Sequence, residues 1–426
     1  MKLSFKYVIK NVDIKEIEIL KDIMWHSKKV YNILLHEIRE HKRKIDTSKG
    51  LNIISSKIYK EYRESNWHSQ YLHSHTLLNT ITNVVSNYKS YKRLEKMYNK
   101  EDNSGLKGKP RIPRYKGKNS NIEIVFTKYA IRLVGNKLKL SISKEMKKKY
   151  QVESINFLIN KGKLKKLVNI EKIKMIKIKL EEVDKIEVNI IYEREEKEKM
   201  QGTNIMAIDL GLNNIVAATN KDNNETLLIS GRALKSKNKY IMEKISKLQR
   251  INMKCIKKSK KHKNTKQIKK LYEYRKNYIN TYLHKVSKMV IEYAKENKCS
   301  RIVIGDLKGI KEKMNYNKEF VQIPLENLVR KIEYKGKLDG IEIEKINERY
   351  TSGVSAIDKE EISKENYNKK RRISRGIFIT NKGIKINADI NGSLNILRKY
   401  IKKSSPNQEI AMDKGREQRP IKKRVA

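Results

Sequence analysis

The chain has 426 residues, 99 of them Lys or Arg against 48 Asp or Glu, for a formal net charge of +51. Hydrophobic residues make up 38%, which excludes a wholly disordered chain and suffices for the cores of two or three domains. Two cysteines, Cys255 and Cys299, supply neither a disulfide framework nor a cysteine-ligated zinc site.

Charge of this density calls for a polyanion. Lysine and arginine that neutralise phosphates release condensed counterions, so nucleic acid is the expected partner, held less tightly as salt rises. Compositional drift toward lysine would explain an excess of charge, but it would tend to enrich acids as well. No stretch approaches the ~18 apolar residues of a membrane span, and the N-terminal segment lacks the apolar run of a signal peptide. The expected location is cytoplasmic, on the nucleoid when bound to DNA.

KLSFKYVI (2–9) reads as a strand, and residues 13–104 read as helical. Val30, Ile33, Leu34 and Ile38 fall at helical spacing, as do Leu77, Ile81, Val84, Val85 and Tyr88. Trp25, Tyr31, Trp67, Tyr71, Tyr88 and Tyr91 are either core aromatics or stacking surfaces for bases. GLKGKPRIPRYKGK (105–118) holds two of the five prolines and cannot continue a helix; its Arg111 and Arg114 are candidate nucleic-acid contacts. Then come IEIVFT (122–127), AIRLVG (130–135), KLKLSIS (137–143), KIKMIKIKL (172–180) and KIEVNIIYE (185–193). Alternation of apolar with Lys or Glu means one face buried and one wet, as in a small antiparallel barrel. The N-terminal strand would complete it, giving a β-barrel domain of residues 1–12 and 105–197 into which 13–104 is inserted.

From about 198 the pattern changes. NIMAIDLG, IVAATN and TLLISG are three close-spaced strands, followed by two long basic helices within 236–298. RIVIGDL (301–307), a helix near 324–336, the strand GIEIEKIN (340–347) and a helix from about 389 complete the set. A meander followed by strand–helix–strand is the order of an RNase H-like domain, here 198–401, and the fold class is α+β. Residues 402–426 are polar, with Pro406 and Pro420, and are expected to be disordered. Lys254 to Lys270 holds nine lysines and no acid. As part of a helical hairpin it would present a cationic ridge to phosphates, with Lys254, Lys257, Lys258, Lys260 and Lys261 as contacts.

Asp209 ends the apolar run IMAID, where a carboxylate is costly unless paired, hydrogen-bonded or metal-bound. Asp389 opens the last helix in NADINGSLNI, where an N-cap interaction is the simplest role. An RNase H-like fold lays the first strand beside the last helix, bringing both carboxylates to one edge. Hard oxygen ligands of this kind select Mg²⁺ or Mn²⁺, and paired ions hydrolyse phosphodiesters.

AIDLG (207–211), RIVIGDL, YTS (350–352) with the segment after it, and NADINGSLNI (387–396), in this order, resemble the TnpB family. These are insertion-sequence-encoded, RNA-guided DNA nucleases related to type V CRISPR effectors, and PRIPRYKGK (110–118) is similar to the loop before their barrel strands. The resemblance implies a β-barrel (wedge) domain with a helical recognition insertion, a RuvC nuclease domain and a guide RNA. It also implies Mg²⁺- or Mn²⁺-dependent cleavage of double-stranded target DNA beside a short flanking motif.

Two departures stand out. Gly305 occupies the place of the family's second-strand Glu, and Asp306 next to it should face the other side of the strand. Glu348, just after GIEIEKIN, is the substitute expected to join Asp209 and Asp389 as catalytic and metal-holding residues, although a bend at the strand end can turn it either way. Glu344 is a weaker candidate. The three carboxylates should converge within roughly 4–6 Å, the reach of shared ions. In the knuckle region, 350–386, Ser355 and Asp358 fall where a first cysteine pair would be and the second pair is missing, so no zinc is expected. The basic run KENYNKKRRISRG (364–376) is either a solvated flap or a phosphate contact, docked through Tyr367, Phe378 and ion pairs. The reading that follows is an RNA-guided DNA endonuclease. The alternatives are a nuclease-dead RNA-guided repressor, for which Gly305 speaks, and a guide-free nucleic-acid-binding factor of the transposon.

Overall fold

The computed structural model describes residues 1–10, 12–99, 106, 108–118, 120–134, 137–158, 172–182, 185–222, 225–254, 264–306, 323–374, 376–404 and 419–425. Two units divide the chain, Met1–Arg194 and Glu195–Ala426.

Alternation builds the first unit. Its strands are β1 (Lys2–Lys10), β2 (Ile124–Thr127), β3 (Ile131–Val134), β4 (Lys137–Ser141), β5 (Ser154–Leu158), β6 (Ile173–Glu182) and β7 (Lys185–Glu193). In β7, Ile186, Val188, Ile190 and Tyr192 point into the core while the Lys, Glu and Asn between them stay wetter. β1 pairs antiparallel with β7 from Lys2↔Glu193 to Lys10↔Lys185, so the N-terminal strand closes onto the last strand of the unit. Among the described residues these strands make two antiparallel sheets, β1-β7-β6-β2 and β3-β4-β5, rather than one continuously hydrogen-bonded barrel. A single core runs between them, including Phe126, Leu140, Phe157 and Ile176.

The helical block lies between β1 and β2 in sequence, as α1 (Ile14–Arg39), α2 (Leu51–Ser65), α3 (Trp67–Gln70) and α4 (Ser74–Asn99). Asp13 caps α1 by accepting from the Lys15 amide. Val30, Leu34 and Ile38 of α1 and Leu77, Ile81, Val84 and Val85 of α4 are buried, as their spacing predicts. Tyr31 is core, whereas Trp25 and Trp67 are 41% and 55% exposed. A short helix α5 (Lys144–Tyr150) precedes β5.

The second unit holds β8 (Ile205–Asp209), β9 (Asn214–Asn220), β10 (Thr226–Ser230), β11 (Arg301–Asp306), β12 (Glu342–Asn347), the hairpin β13 (Ile377–Ile379) and β14 (Lys385–Asn387), and β15 (Ile421–Lys423). Its helices are α6 (Arg232–Lys254), α7 (Lys266–Glu296), α8 (Leu325–Leu338) and α9 (Ala388–Ser404). The main sheet runs β12-β11-β8-β9-β10-β15. β8, β9 and β10 form the antiparallel meander, and β11 and β12 add in parallel beside β8. Ile208, Ile302 and Ile304 pack with Leu283, Val286 and Leu328 of α7 and α8 on one face. Ala207 and Val303 pack with Ile396, Leu397 and Tyr400 of α9 on the other. This is the RNase H-like arrangement.

The expectation of a disordered tail needs correction. α9 continues to Ser404, and Ile421–Lys423 pair in parallel with β10 as the outermost strand. β10 thereby escapes an unpaired edge, and Val425 gains a place against the core. Among the described residues no helix is long and apolar enough to cross a membrane.

Candidate active site: a carboxylate pocket at the sheet edge

Register assembles the site before any side chain is considered. Ile208 of β8 pairs with Ile304 of β11, so Asp209 lies level with Gly305; Gly305 in turn pairs with Ile346 of β12, two residues before Glu348. Ala207 and Val303 face α9, and by alternation Asp209 and Gly305 do too. Asp389 stands in the first turn of α9, the helix that covers this face. Asp209, Glu348 and Asp389 line one cavity of about 740 Å³, with Asn214, Arg232 and Arg372.

Two glycines make room for the carboxylates. A Cβ on Gly305 would collide with Glu348 Oε2 and sit 3.1 Å from Ile396 Cδ1. A Cβ on Gly392, one turn into α9, would lie 2.5 Å from Asp209 Oδ2. The Glu348 carboxylate thus occupies the volume that a side chain at 305 would enter. The turn after β12 aims it there: Thr351 donates to the Glu348 carbonyl through its amide at 3.2 Å and its hydroxyl at 2.8 Å. Glu344, the weaker candidate, is tied up elsewhere, 3.2 Å from Arg301 and accepting from the Tyr400 hydroxyl at 3.1 Å.

The pocket is electrostatically unsettled. Burial, and then the charges of Glu348 and Asp389, hold the Asp209 carboxyl well above the usual range against a weaker pull from Arg372. Burial, and then Asp306, push Glu348 up to about 7. Asp306 does not line the cavity, in keeping with its parity, yet it is near enough to Glu348 to repel it. Asp389 accepts from Asn214 Nδ2 at 2.8 Å and lies 3.3 Å from the Arg372 guanidinium.

As the side chains stand, the expected convergence on a shared ion is not seen. Among the described residues no three acidic, histidine or cysteine side chains are spaced to hold one ion. Asp389 is engaged by Arg372 and Asn214 instead, so a cation would have to displace the guanidinium. The donor chemistry nevertheless fits a hard divalent ion: the set is all oxygen, and neither Asp209 nor Glu348 has an ion-pair partner among the described residues.

Arg372 and Asn214 escaped the sequence reading. The run KKRR announces basic residues without saying which reaches the pocket, and Asn214 is one of two asparagines in LGLNN. The knuckle segment is docked much as expected. The Tyr367 ring fills the space above Gly353 and meets Tyr350 edge-on at 5.9 Å. Phe378 is fully buried against Ile386 and Ala388. Arg371 lies 2.6 Å from Glu360, and the Asn381 amide donates to Asp358 at 2.7 Å, so polar contacts tie the segment together where cysteines would stand.

Among the described residues none of the remaining candidates lines this pocket. Lys254 is exposed at the end of α6, and Lys257, Lys258, Lys260 and Lys261 fall outside the described residues. Arg111 and Arg114 line a cavity of about 890 Å³ within the first unit, together with Arg39 and Lys109.

Comparison with known proteins agrees with this architecture. Residues 186–311 match the OrfB_IS605 family, described as a probable transposase, and residues 326–396 match the TNB domain of Cas12f1-like proteins. No curated protein matches the chain. The structure of a Cas12f1–sgRNA–target DNA complex is similar with a TM-score of 0.61 and 19% identity, over 90% of this chain and 82% of that one. The mini-RNA-guided endonuclease CRISPR-Cas phi3 is similar with a TM-score of 0.51 and 12% identity, over 97% and 94%. The fold is thus the RNase H-like one, shared with these structures. The two family matches, over residues 186–311 and 326–396, are consistent with a TnpB-like protein.

Proposed function

We propose that the protein is an RNA-guided endonuclease of an insertion sequence, cutting double-stranded target DNA beside a short flanking motif by Mg²⁺- or Mn²⁺-dependent hydrolysis. The observation that carries this reading is the placement of the Glu348 carboxylate in the space left by Gly305, in one pocket with Asp209 and Asp389. A chain that had merely lost its second carboxylate has no reason to refill that space with another. The fold relatives are titled as a complex with guide RNA and target DNA and as an RNA-guided endonuclease, and the +51 charge suits such partners.

Asp209, Glu348 and Asp389 would hold the metal. When bound, a divalent ion polarises the phosphoryl oxygen and lowers the pKa of an attacking water. The chain's own groups do the rest. Asp389 would give up its contact with Arg372 on holding an ion, and that guanidinium, with Arg232 on the same wall, would then be placed to meet phosphate oxygens. Gly305 and Gly392 keep the carboxylates close by leaving no side chain between them.

A second reading, a nuclease-dead RNA-guided DNA binder acting as a repressor, draws on the Arg372–Asp389 contact and on the absence of a ready-spaced ligand set among the described residues. One experiment separates the two. The protein is purified with its co-expressed RNA and given target DNA with randomised flanks, as wild type, Asp209→Ala and Glu348→Ala, while Mn²⁺ binding is titrated calorimetrically. Cutting by wild type alone, with weakened Mn²⁺ binding in both variants, is the expected result. Binding without cutting in Mg²⁺ and Mn²⁺ alike leaves the repressor. Normal cutting by Glu348→Ala removes Glu348 from the ligand set.

A further inference from the structure

The outermost strand of the nuclease sheet carries its own charge pattern, and its register says where that charge faces. Leu227, Leu228 and Ile229 of β10 pair in parallel with Ile421, Lys422 and Lys423 of β15. Leu227 and Ile229 belong to the core on the α7 side, whereas Leu228 packs with Ile390 and Leu394 of α9. Paired residues in a ladder share a face, so Lys422, and Arg424 by alternation, stand on the α9 side, where Asp389 opens that helix. Lys423 and Val425 take the other side: the Lys423 ammonium lies 6.0 Å from the Tyr293 ring centroid, and Val425 packs against the core.

These residues wall a cavity of about 570 Å³ beside the carboxylate pocket. The two cavities share Asn214, Arg232 and Asn387, so they are continuous along the edge of the sheet. Arg232, Lys422, Lys423 and Arg424 give this second cavity four cationic side chains, and among the described residues no acid lines it. Among the described residues none of Arg232, Lys422 and Arg424 has an ion-pair partner. A basic wall that leads into a row of carboxylates suits a phosphodiester chain entering a hydrolytic site, with the acids reserved for cations and the bases for phosphates.

We propose that the C-terminal strand β15 is a phosphate-binding wall for the DNA strand being cut, gripping the backbone beside the scissile phosphate through Lys422 and Arg424 with Arg232 as the bridge between the cavities. The proposal rests on the nuclease reading for the identity of that strand, but its test does not need cutting. Both Lys422 and Arg424 are exposed, so Glu at either position leaves the core and the ladder hydrogen bonds intact.

In magnesium-free buffer the full chain is lysine-acetylated with and without a short single-stranded DNA oligonucleotide, and again with an RNA of the same sequence. Mass spectrometry compares Lys422 with Lys298, which is exposed just before β11, at the opposite end of that strand from Gly305. DNA is expected to slow acetylation of Lys422 at least about fivefold relative to Lys298, and Lys422→Glu/Arg424→Glu should lower the slope of log affinity against log salt by about 1.4, two contacts at about 0.7 each. Acetylation of Lys422 at the same rate with and without DNA overturns the proposal, as does protection by RNA alone. If wild type cuts nothing in Mg²⁺ or Mn²⁺ while Lys422 is protected by DNA, the nuclease reading falls and the strand-binding wall stands.

Discussion

Two groups of acids, one in each unit, are treated in opposite ways. In the first, Arg43 lies 2.7 Å from both Glu37 and Glu61, the Tyr62 hydroxyl donates to Glu37 at 2.7 Å, and Lys149 lies 2.7 Å from Asp22. Each of these acids has a base beside it, and the chain has bases to spare. In the second unit Asp209 and Glu348 lie in a shared pocket with no such partner among the described residues, and both are held toward the protonated form by burial, Asp209 then by Glu348 and Asp389, Glu348 then by Asp306. A fold with 99 basic residues has no shortage of cations with which to settle two acids. Acids left unsettled in it belong to the class of groups that ligand or catalytic sites collect, which is the ground for proposing a cation from solution as their partner.

The sharpest way to break this contrast is to move the carboxylate. Glu348→Gly should cost guided cutting at least about a thousandfold, in line with the several kcal/mol a Lewis-acid ion supplies to phosphoryl transfer. Adding Gly305→Glu to that variant should recover at least about tenfold, because with Glu348 gone the nearest atom left to a Cβ at 305 is the flexible end of Ile396, at 3.1 Å. Gly305→Glu alone forces two carboxylates into one volume and should lower the melting temperature. Cleavage rates and thermal scans of the three variants decide it; a double variant as inactive as Glu348→Gly would mean that the two positions are not interchangeable.

Next in size is a pH effect on metal-free protein. Glu348 titrates near 7 in the folded chain and near the ordinary 4.5 when unfolded, so between those values the folded state holds the extra proton. Stability from this group therefore falls as pH rises through that window, and the cost is complete above about 7. With EDTA present, Glu348→Gln should unfold at about the same denaturant concentration as wild type at pH 4.5. At pH 7.5 it should be more stable by about 3 kcal/mol, most of what the shift from 4.5 to about 7 is worth at about 1.4 kcal/mol per unit. Taking the difference between variant and wild type cancels the other titrating groups. An unchanged difference across the range would mean that the pocket carries no such strain.

How much of this was legible in the residues differs between elements for physical reasons. Strict alternation places β7 at 185–193, and the apolar runs place β8, β11 and β12 almost to the residue, because burial on one or both faces writes itself into the local pattern. Asp209 and Asp389 stand out at the ends of such runs. The division of 13–104 into separate helices, the strand β5, the hairpin β13–β14 and the three-residue β15 do not stand out, since short elements draw their stability from the partner they meet. The direction of Glu348 is of the same kind. It depends on the turn closed by Thr351 and on the space above Gly305, 43 residues earlier in the chain, and neither is a property of GIEIEKIN. Arg372 reaches Asp389 only once Tyr367 and Phe378 have docked the knuckle, so its role emerges from packing rather than from the run KKRR.

The smallest expected effect tests the other half of the contrast. Arg43 serves two acids at once and is flanked by the Tyr62 phenol, whose proton burial and then Glu37 hold more tightly than usual. Arg43→Met keeps most of the apolar stem and removes only the charge, leaving Glu37 and Glu61 facing each other. Arg43, Glu37 and Glu61 retain 24%, 26% and 41% of their side-chain exposure, so solvent screens the loss and the cost should be only about 1 kcal/mol. Urea unfolding at pH 7.5 measures it, and Mn²⁺ affinity should not change. The sign matters more than the size: neutralising a charge destabilises the first unit and, at Glu348, stabilises the second. If Arg43→Met proves neutral or stabilising, the first unit's ion pairs are ornaments of a charged surface, and the contrast that singles out the carboxylate pocket rests on that pocket alone.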